Sequence, residues 1–395
     1  MLKPRGSIGR LATGSVWLNS AQLSSGAAPV FSDFLSSREI KNPFPGLPRA
    51  EKMIGRKIVA RIGSNECMEQ DPEAHPLGFF LSKEMLDLCR LYPDPYATSI
   101  RTKLAALTGT PEEEIITDTG ADSLLCLALR MRVTPGDAVV TSAGTYPTFS
   151  YFALGAGCTI HEVDYLLRND AEGGGEVWIP DLAGIADAAH AQGAVVAYLA
   201  NPDNPTGHVF STSEVGALRA ALPVGCTLLL DEAYIDFAPA QALTTRLPNT
   251  VQTRTLSKAW GLAGLRLGYA LASPEWVLKA DTVRTQFSAS GLSHYLVEKV
   301  LDAPGFSSKL VHDTIILRNR LREALVARGC RILPSATNFV AVLYPSPEQA
   351  AARHKELLAL GIAVHRPPHT AMQRLLRVTA SPLALDPAVL AILAV

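Results

Sequence analysis

Lys258 stands among small residues directly after an apolar run, in the segment 255–269 (TLSKAWGLAGLRLGY). Desolvation at such a place lowers a lysine's pKa and makes its amine a usable nucleophile toward an aldehyde. Thr255 and Ser257 put hydroxyls beside it, and Arg266 adds a planar cation suited to a phosphate. A serine–lysine pair alone says little, since most lysines are solvated surface charges; the glycines and Arg266 sharpen it. Asp231 opens the tetrad DEAY (231–234) at the end of the apolar run 227–230. The carboxyl ends of such strands are where open α/β sheets bind ligands. A carboxylate buried there needs a cationic partner, and a protonated pyridine nitrogen is one. The structural alternative is a helix N-cap with no ligand.

Two turns offer complementary chemistry. In NPDNPTG (201–207) the prolines fix the turn and Gly207 relaxes it. Asn204 is thereby held rigidly, free to hydrogen-bond a phenolic oxygen. The segment 118–123 (DTGADS) is a glycine-containing turn that opens a helix. Its unpaired N–H groups and the helix dipole together form a phosphate cup, weak evidence singly but apt in this set.

Such residues must be gathered by a sheet that presents several strand ends side by side. From about 90 to 300 the chain alternates helical and strand patterns as α/β folds do. Residues 95–109 read as a helix with Ile100, Leu104 and Leu107 on one face, and 122–132 as a second. The runs 138–142, 194–199 and 227–230 are short, apolar strands of the doubly buried kind, and 250–256 is another strand. Ser211 and Glu214 form a capping box that opens a helix to Leu222. Residues 170–175 (DAEGGG) read as a surface loop.

Beyond 305 the texture changes. A long amphipathic helix covers 308–328 with Leu310, Leu317, Leu321 and Leu325, and Gly329 ends it. The apolar runs 339–342 and 375–378 follow, with a polar helix between them. The expected fold class is α/β: a large domain with a mostly parallel sheet sandwiched by helices, plus a smaller α+β domain. The expected division is an arm at 1–34, small-domain segments at 35–88 and 301–395, and the large domain at 89–300.

Composition narrows the function. The 395 residues are 48% hydrophobic and 18% charged, enough for a large core. A net charge of −1, from 36 basic and 37 acidic residues, gives no hint of nucleic acid. Six scattered cysteines without a C-x-x-C pair fit reduced thiols. No apolar run reaches the roughly 18 residues of a membrane span. Residues 1–30 carry Lys3, Arg5 and Arg10, and no acid precedes Asp33. That suits an organelle transit peptide for mitochondrion or plastid, or a plain arm, either flexible or packed on a partner subunit. Three basic residues are few for a transit signal, so the arm and a cytoplasmic enzyme are expected.

The segments 91–95 (LYPDP), 119–122 (TGAD), 145–147 (TYP), 201–207, 231–237 (DEAYIDF), 254–269, 335–339 (SATNF) and 375–379 (LLRVT) occur in this order. Together they resemble the fold-type I pyridoxal-phosphate aminotransferases of class I/II, in their histidinol-phosphate aminotransferase-like branch, over about residues 60–385. The resemblance implies that Lys258 forms the Schiff base with the cofactor and shuttles the proton. It implies that Asp231 keeps the pyridine nitrogen protonated, that Asn204 and Tyr234 hold the phenolate oxygen, and that Tyr146 stacks on the ring. Backbone groups of Ala121 and Asp122, with Thr255, Ser257 and Arg266, would bind the phosphate. Tyr92 would reach the cofactor phosphate of a neighbouring subunit, so a homodimer is implied. Arg377 would grip the substrate's anion. No metal site is expected.

The implied reaction moves an amine from an amino acid or amino-alcohol phosphate to a 2-oxo acid. Decarboxylation, cyclisation or oxidation on the same cofactor is the alternative. A ligand-binding protein without turnover is a third, disfavoured because the first 50 residues hold no basic helix-turn-helix pattern and Lys258, Asp231, Asn204 and Arg266 are all present. The chain departs from the family pattern near the substrate. Cys67, in 64–67 (SNEC), stands at or near an aromatic's place, and His365, in 361–365 (GIAVH), stands where an arginine is expected. Arg366 comes one residue late, which in a strand points it to the other face unless a bulge restores it. Ser123 stands where a glutamate is common. His365 is therefore either a substrate contact or a packing residue, and Cys67 a small apolar filler.

Overall fold

Runs of valine, leucine and alanine shield their backbone groups in a sheet, and the polar segments between them close into helices. The structure, a computed structural model, describes residues 51, 54–63, 88, 92–169, 176–242 and 246–394. The chain divides at Glu39/Ile40 into two units, the first wholly outside the described residues. The expectations for the arm, for Cys67 and for the loop 170–175 fall outside them as well.

Along the chain, β1 (Ala60–Arg61) is followed by α1 (Thr98–Thr108), β2 (Ile115–Asp118), α2 (Ala121–Arg132), β3 (Ala138–Ser142) and α3 (Pro147–Gly155). Next come β4 (Thr159–Val163), the hairpin β5 (Leu166–Asn169) and β6 (Glu176–Ile179), α4 (Leu182–Gln192) and β7 (Val196–Ala200). Then follow α5 (Thr212–Ala221), β8 (Thr227–Asp231), β9 (Thr250–Thr255), β10 (Gly268–Leu271), α6 (Pro274–Val283) and α7 (Gly291–Leu301). The last part holds α8 (Phe306–Val326), β11 (Arg331–Leu333), β12 (Phe339–Leu343), α9 (Pro347–Ala359), β13 (Ile362–Ala363), β14 (Leu375–Thr379) and α10 (Pro387–Leu393).

Seven strands form one sheet in the order β2-β10-β9-β8-β7-β3-β4. All its pairings are parallel except those of β10, which runs antiparallel to both β9 and β2. The central strands are buried on both faces, which explains their unbroken apolar sequence. Val196, Tyr198 and Ala200 of β7 pack with α2, α3 and α6, whereas Ala197 and Leu199 pack with α4 and α5. This is the mostly parallel, helix-covered α/β sheet that the sequence implies. A second sheet, β11-β12-β14, packs one face on α8, α9 and α10 through Leu321, Val340, Leu357, Leu376 and Leu390. Residues from far upstream join it: β1 pairs in parallel with β13, and Ile62 is buried in the same cluster.

Three local readings need correction. The helix expected from residue 95 starts at Thr98, because Asp94 turns the chain by accepting from the N–H groups of Tyr96 and Thr98. Leu107 is exposed and does not share the buried face of Ile100 and Leu104. The strand expected at 194–199 is shifted to Val196–Ala200.

Candidate active site

Parallel strands deliver their C-terminal ends to one edge of a sheet, and the chemistry-bearing residues lie there. β2 ends at Asp118 and leads through Gly120 into α2; β3 leads to Tyr146; β7 leads to Asn204; β8 ends at Asp231; β9 leads to Ser257 and Lys258. The capping box at Ser211 is formed as expected, its hydroxyl accepting from the Glu214 N–H while the Glu214 carboxylate accepts from the Ser211 N–H. It fixes the helix that returns the chain from β7 to β8.

Asp231 is buried, 5% exposed. Its Oδ2 accepts from the Tyr198 hydroxyl at 2.8 Å, and its Oδ1 from the Ala233 N–H at 3.1 Å. Burial pushes its pKa up to about 6 against these two bonds, and the charges of Asp122 and Glu232 add to the rise. Both bonded donors are neutral, so a cation placed against this carboxylate would restore its charge. Neighbouring Glu232 is engaged separately, accepting from Arg254 Nε at 2.8 Å. Asp231 thus accepts one backbone N–H, two residues on, as a cap does, and in addition a side-chain hydroxyl from the neighbouring strand.

The turn after β2 forms a cradle. A Cβ built on Gly120 would lie 2.6 Å from Arg266 Nη2, so the guanidinium lies directly over a glycine. A Cβ on Gly268 would lie 2.8 Å from the Ala121 nitrogen, so β10 packs flush against the opening of α2. Arg266 itself adopts a left-handed φ of 51°. Thr255 donates its hydroxyl to Ser257 Oγ at 2.9 Å and accepts from the Ser257 N–H at 3.1 Å. The Asp122 side chain has a further role: its Oδ1 accepts the Tyr146 hydroxyl at 2.9 Å. Burial raises the Tyr146 pKa well above its ordinary value. Ser123 bonds Thr119, hydroxyl to hydroxyl, at 2.6 Å.

Lys258 is half-buried, with its ammonium 6.0 Å from the centroid of the Tyr234 ring. Tyr234 meets Phe339 edge to face at 5.4 Å, and the Arg377 guanidinium lies 5.2 Å from the Phe339 centroid. Arg377 is 4% exposed, donates from Nη1 to Asn204 Oδ1 and from Nη2 to the Gly63 carbonyl at 2.7 Å, and keeps a buried Nε without a hydrogen-bond partner. Burial lowers its pKa.

The structure separates the two residues that the sequence left ambiguous. His365 forms an antiparallel bridge with Arg377, exchanging backbone hydrogen bonds of 3.2 and 2.8 Å, which sets the two side chains on one face. Burial, then the nearby Arg377 and His354, hold the His365 pKa well below the ordinary range, so the ring is neutral. Arg366 is directed elsewhere, donating to the carbonyls of Gln373 and Pro347 at 3.4 Å each. No bulge returns it beside Arg377. Tyr92 also stands apart from the cluster, 83% exposed with its ring 4.9 Å from Phe287.

Two contributors escaped the sequence reading. Tyr198 is one, hidden as an aromatic within an apolar strand. Asp203 is the other: buried inside the NPDNPTG turn, it accepts from Thr145 Oγ1, from the Tyr165 hydroxyl, and from the N–H and hydroxyl of Thr206. An acid between two asparagines could have signalled it.

A buried, charge-deficient carboxylate, a guanidinium over a glycine turn and a half-buried lysine fit a phosphorylated pyridine aldehyde. The sequence matches the family profile of aminotransferases of class I and II over residues 72–394. The chain belongs to this family. It is a pyridoxal-phosphate-dependent aminotransferase of fold type I, taking an amino donor and a 2-oxo acid. It is 33% identical to a histidinol-phosphate aminotransferase of an Anaeromyxobacter species over 311 residues, 76% of this chain and 81% of the relative. It is 31% identical over 300 residues to that of Erythrobacter litoralis, 73% of this chain and 78% of the relative. The solved histidinol-phosphate aminotransferase of Sinorhizobium meliloti, in complex with pyridoxal 5'-phosphate, superimposes with a TM-score of 0.78 at 32% identity, covering 94% of this chain and 97% of that one.

Proposed function

We propose that the chain moves an amine from an anionic donor, an amino acid or an amino-alcohol phosphate, to a 2-oxo acid, with Lys258 as the residue bonded covalently to the cofactor. One observation carries the reading: the Arg377 guanidinium is hydrogen-bonded to Asn204, which ties a buried cation to the turn that would face the cofactor. Its unpartnered Nε leaves capacity for a substrate oxygen. When bound, pyridoxal phosphate supplies an aldehyde and a cationic ring that withdraws electrons. Asp231 would hold the ring nitrogen's proton, and Asn204 and Tyr234 the phenolate oxygen. Ala121, Asp122, Thr255, Ser257 and Arg266 would hold the phosphate. Lys258 would carry the proton between the donor's Cα and the cofactor's aldehyde carbon, C4′. Arg377 would orient the donor through its anion, with neutral His365 beside it.

The names of the matched relatives support histidinol phosphate as a donor to test first. A panel of histidinol phosphate, glutamate, and aromatic and basic amino acids should show one donor that converts a 2-oxo acid into an amino acid. Arg377→Leu should raise that donor's KM roughly 10- to 100-fold, the loss of a charge-assisted hydrogen bond. An unchanged KM would remove Arg377 from the substrate, and carbon dioxide release would make the reaction a decarboxylation.

We infer a homodimer in which Tyr92 reaches the partner's cofactor. Its support is the exposed aromatic pair of Tyr92 and Phe287. Sedimentation should give twice the chain mass, and Tyr92→Ala should weaken cofactor binding; a monomer with unaltered affinity refutes the shared site. Among the described residues no helix is long and apolar enough to cross a membrane. A cytoplasmic location is the reading we favour, supported by the bacterial sources of these relatives. Cell fractionation with sequencing of the mature N-terminus tests it.

A further inference from the structure

We propose that Tyr198 is a positioning residue for the cofactor's ring nitrogen, acting through Asp231, a role that rests on the reading of Asp231 as the partner of that nitrogen. The geometry is direct. Tyr198 lies on β7 beside β8, and register pairs it with Leu229, two residues before Asp231. Its hydroxyl donates to Asp231 Oδ2 at 2.8 Å, and the tyrosine is fully buried. The ring cannot swing away, because Phe149 stacks on it with centroids 4.3 Å apart and an interplanar angle of 12°. Phe149 lies on α3 one turn after Tyr146, the residue proposed to cover the cofactor ring. One short helix therefore braces both the ring-covering tyrosine and the tyrosine behind the carboxylate.

The consequence follows from lone-pair counting. An ionised carboxylate accepts about four hydrogen bonds, two on each oxygen. Tyr198 occupies one position on Oδ2 and the Ala233 N–H one on Oδ1. The carboxylate is thus clamped from two sides, and its remaining lone pairs have a fixed aim. A donated hydrogen bond also favours the charged form, against burial and the neighbouring carboxylates of Asp122 and Glu232. The titratable groups acting on Asp231 include Tyr198, Asp122 and Glu232, with Tyr146 also coupled to it, and among these the Tyr198 hydrogen bond is the one that stabilises its charge. Holding Asp231 ionised and aimed is what a protonated ring nitrogen requires of its counterion.

Tyr198→Phe keeps the stacked ring and deletes the donor. Two readouts follow, one without cofactor. In the cofactor-free protein, carbon-13 NMR of the aspartate carboxyls should show Asp231 titrating at a higher pH in Tyr198→Phe than in the parent. With cofactor, the variant should bind pyridoxal phosphate about 10- to 100-fold more weakly. It should bind an analogue whose ring nitrogen is replaced by CH with unchanged affinity. Asp231→Asn, measured against the same two ligands, separates the layers of the idea. If Asp231→Asn does not discriminate between them, Asp231 does not meet the ring nitrogen. If Asp231→Asn discriminates and Tyr198→Phe does not, the role of Tyr198 is overturned while that of Asp231 stands. Should Tyr198→Phe fail to fold, 3-fluorotyrosine at 198, a stronger donor, should move the Asp231 titration to lower pH; no movement would overturn the proposal.

Discussion

Lys258→Ala will end covalent retention of pyridoxal phosphate and lower transamination by roughly 10⁴-fold or more, the full scale of a positioned acid–base group together with the loss of the amine nucleophile. The expectation comes from how the turn is built. Leu256, Ala259 and Trp260 are buried on either side of the lysine, and the Leu262 N–H closes the turn on the Leu256 carbonyl at 3.1 Å. Lys258 is half-buried within this anchored stretch, with its ammonium over the Tyr234 ring. Removing its side chain leaves the anchors in place, so the variant should fold and still take up cofactor non-covalently. Borohydride reduction followed by peptide mass spectrometry should put the cofactor's mass on the Lys258 peptide of the parent and nowhere in the variant. A label on a different lysine in the parent would overturn the assignment.

Asp231→Asn should act in opposite directions with and without cofactor. In the cofactor-free protein, burial raises the Asp231 pKa to about 6, above the ordinary carboxylate value near 3.9. The folded state therefore holds a proton that the unfolded chain has lost between about pH 4 and 6. The associated stability is present at the acid end and disappears as pH rises through this window, leaving a penalty of about 3 kcal/mol at neutral pH. Asparagine carries no such charge, so the cofactor-free variant should melt higher than the parent at pH 8 and no higher at pH 4. If the cofactor's ring nitrogen meets Asp231 as proposed, the parent would gain a cation opposite the carboxylate that the variant could not match. Breaking such a buried pair should lower kcat/KM by roughly 10²–10³-fold. Melting curves across pH, set beside steady-state kinetics, check both halves; a variant less stable than the parent at pH 8 without cofactor would refute the charge-penalty account.

The strands most legible in the sequence were those whose burial leaves no polar alternative. Thr227–Asp231, Ala138–Ser142 and Phe339–Leu343 are buried almost throughout, so apolar run and strand coincide. Capping chemistry is also local, which made Ser211 and Glu214 readable. β10 was not seen as a strand because four residues, one of them glycine, carry no periodicity, and its antiparallel direction depends on partners far away. The residues proposed for the cofactor side of the site were legible because turn, strand end and lysine are each short local motifs. The substrate side was not, because it depends on pairing between distant segments. The bridge between His365 and Arg377, and the diversion of Arg366 toward Gln373 and Pro347, exist only once β14 is in place. Tyr198 illustrates the remaining blind spot: in sequence it is one more large residue in a buried strand, and only its neighbour across the sheet gives its hydroxyl a purpose.

The antiparallel strand β10 bears on how the enzyme comes into being. Asp118 lies opposite Gly268 in the sheet, and the nitrogen of Ala121 abuts Gly268. The two halves of the cradle proposed for the phosphate are thus separated by about 150 residues of chain, and Arg377 arrives about a further hundred residues on. Closing loops of this length is entropically costly and belongs to the slow part of folding. A chain still emerging from the ribosome, with its first half already made, has a glycine turn but no guanidinium above it and nothing to retain a phosphate. The cradle proposed for the phosphate is therefore complete only once β10 has been made, two-thirds of the way along the chain, and Arg377 joins the site later still.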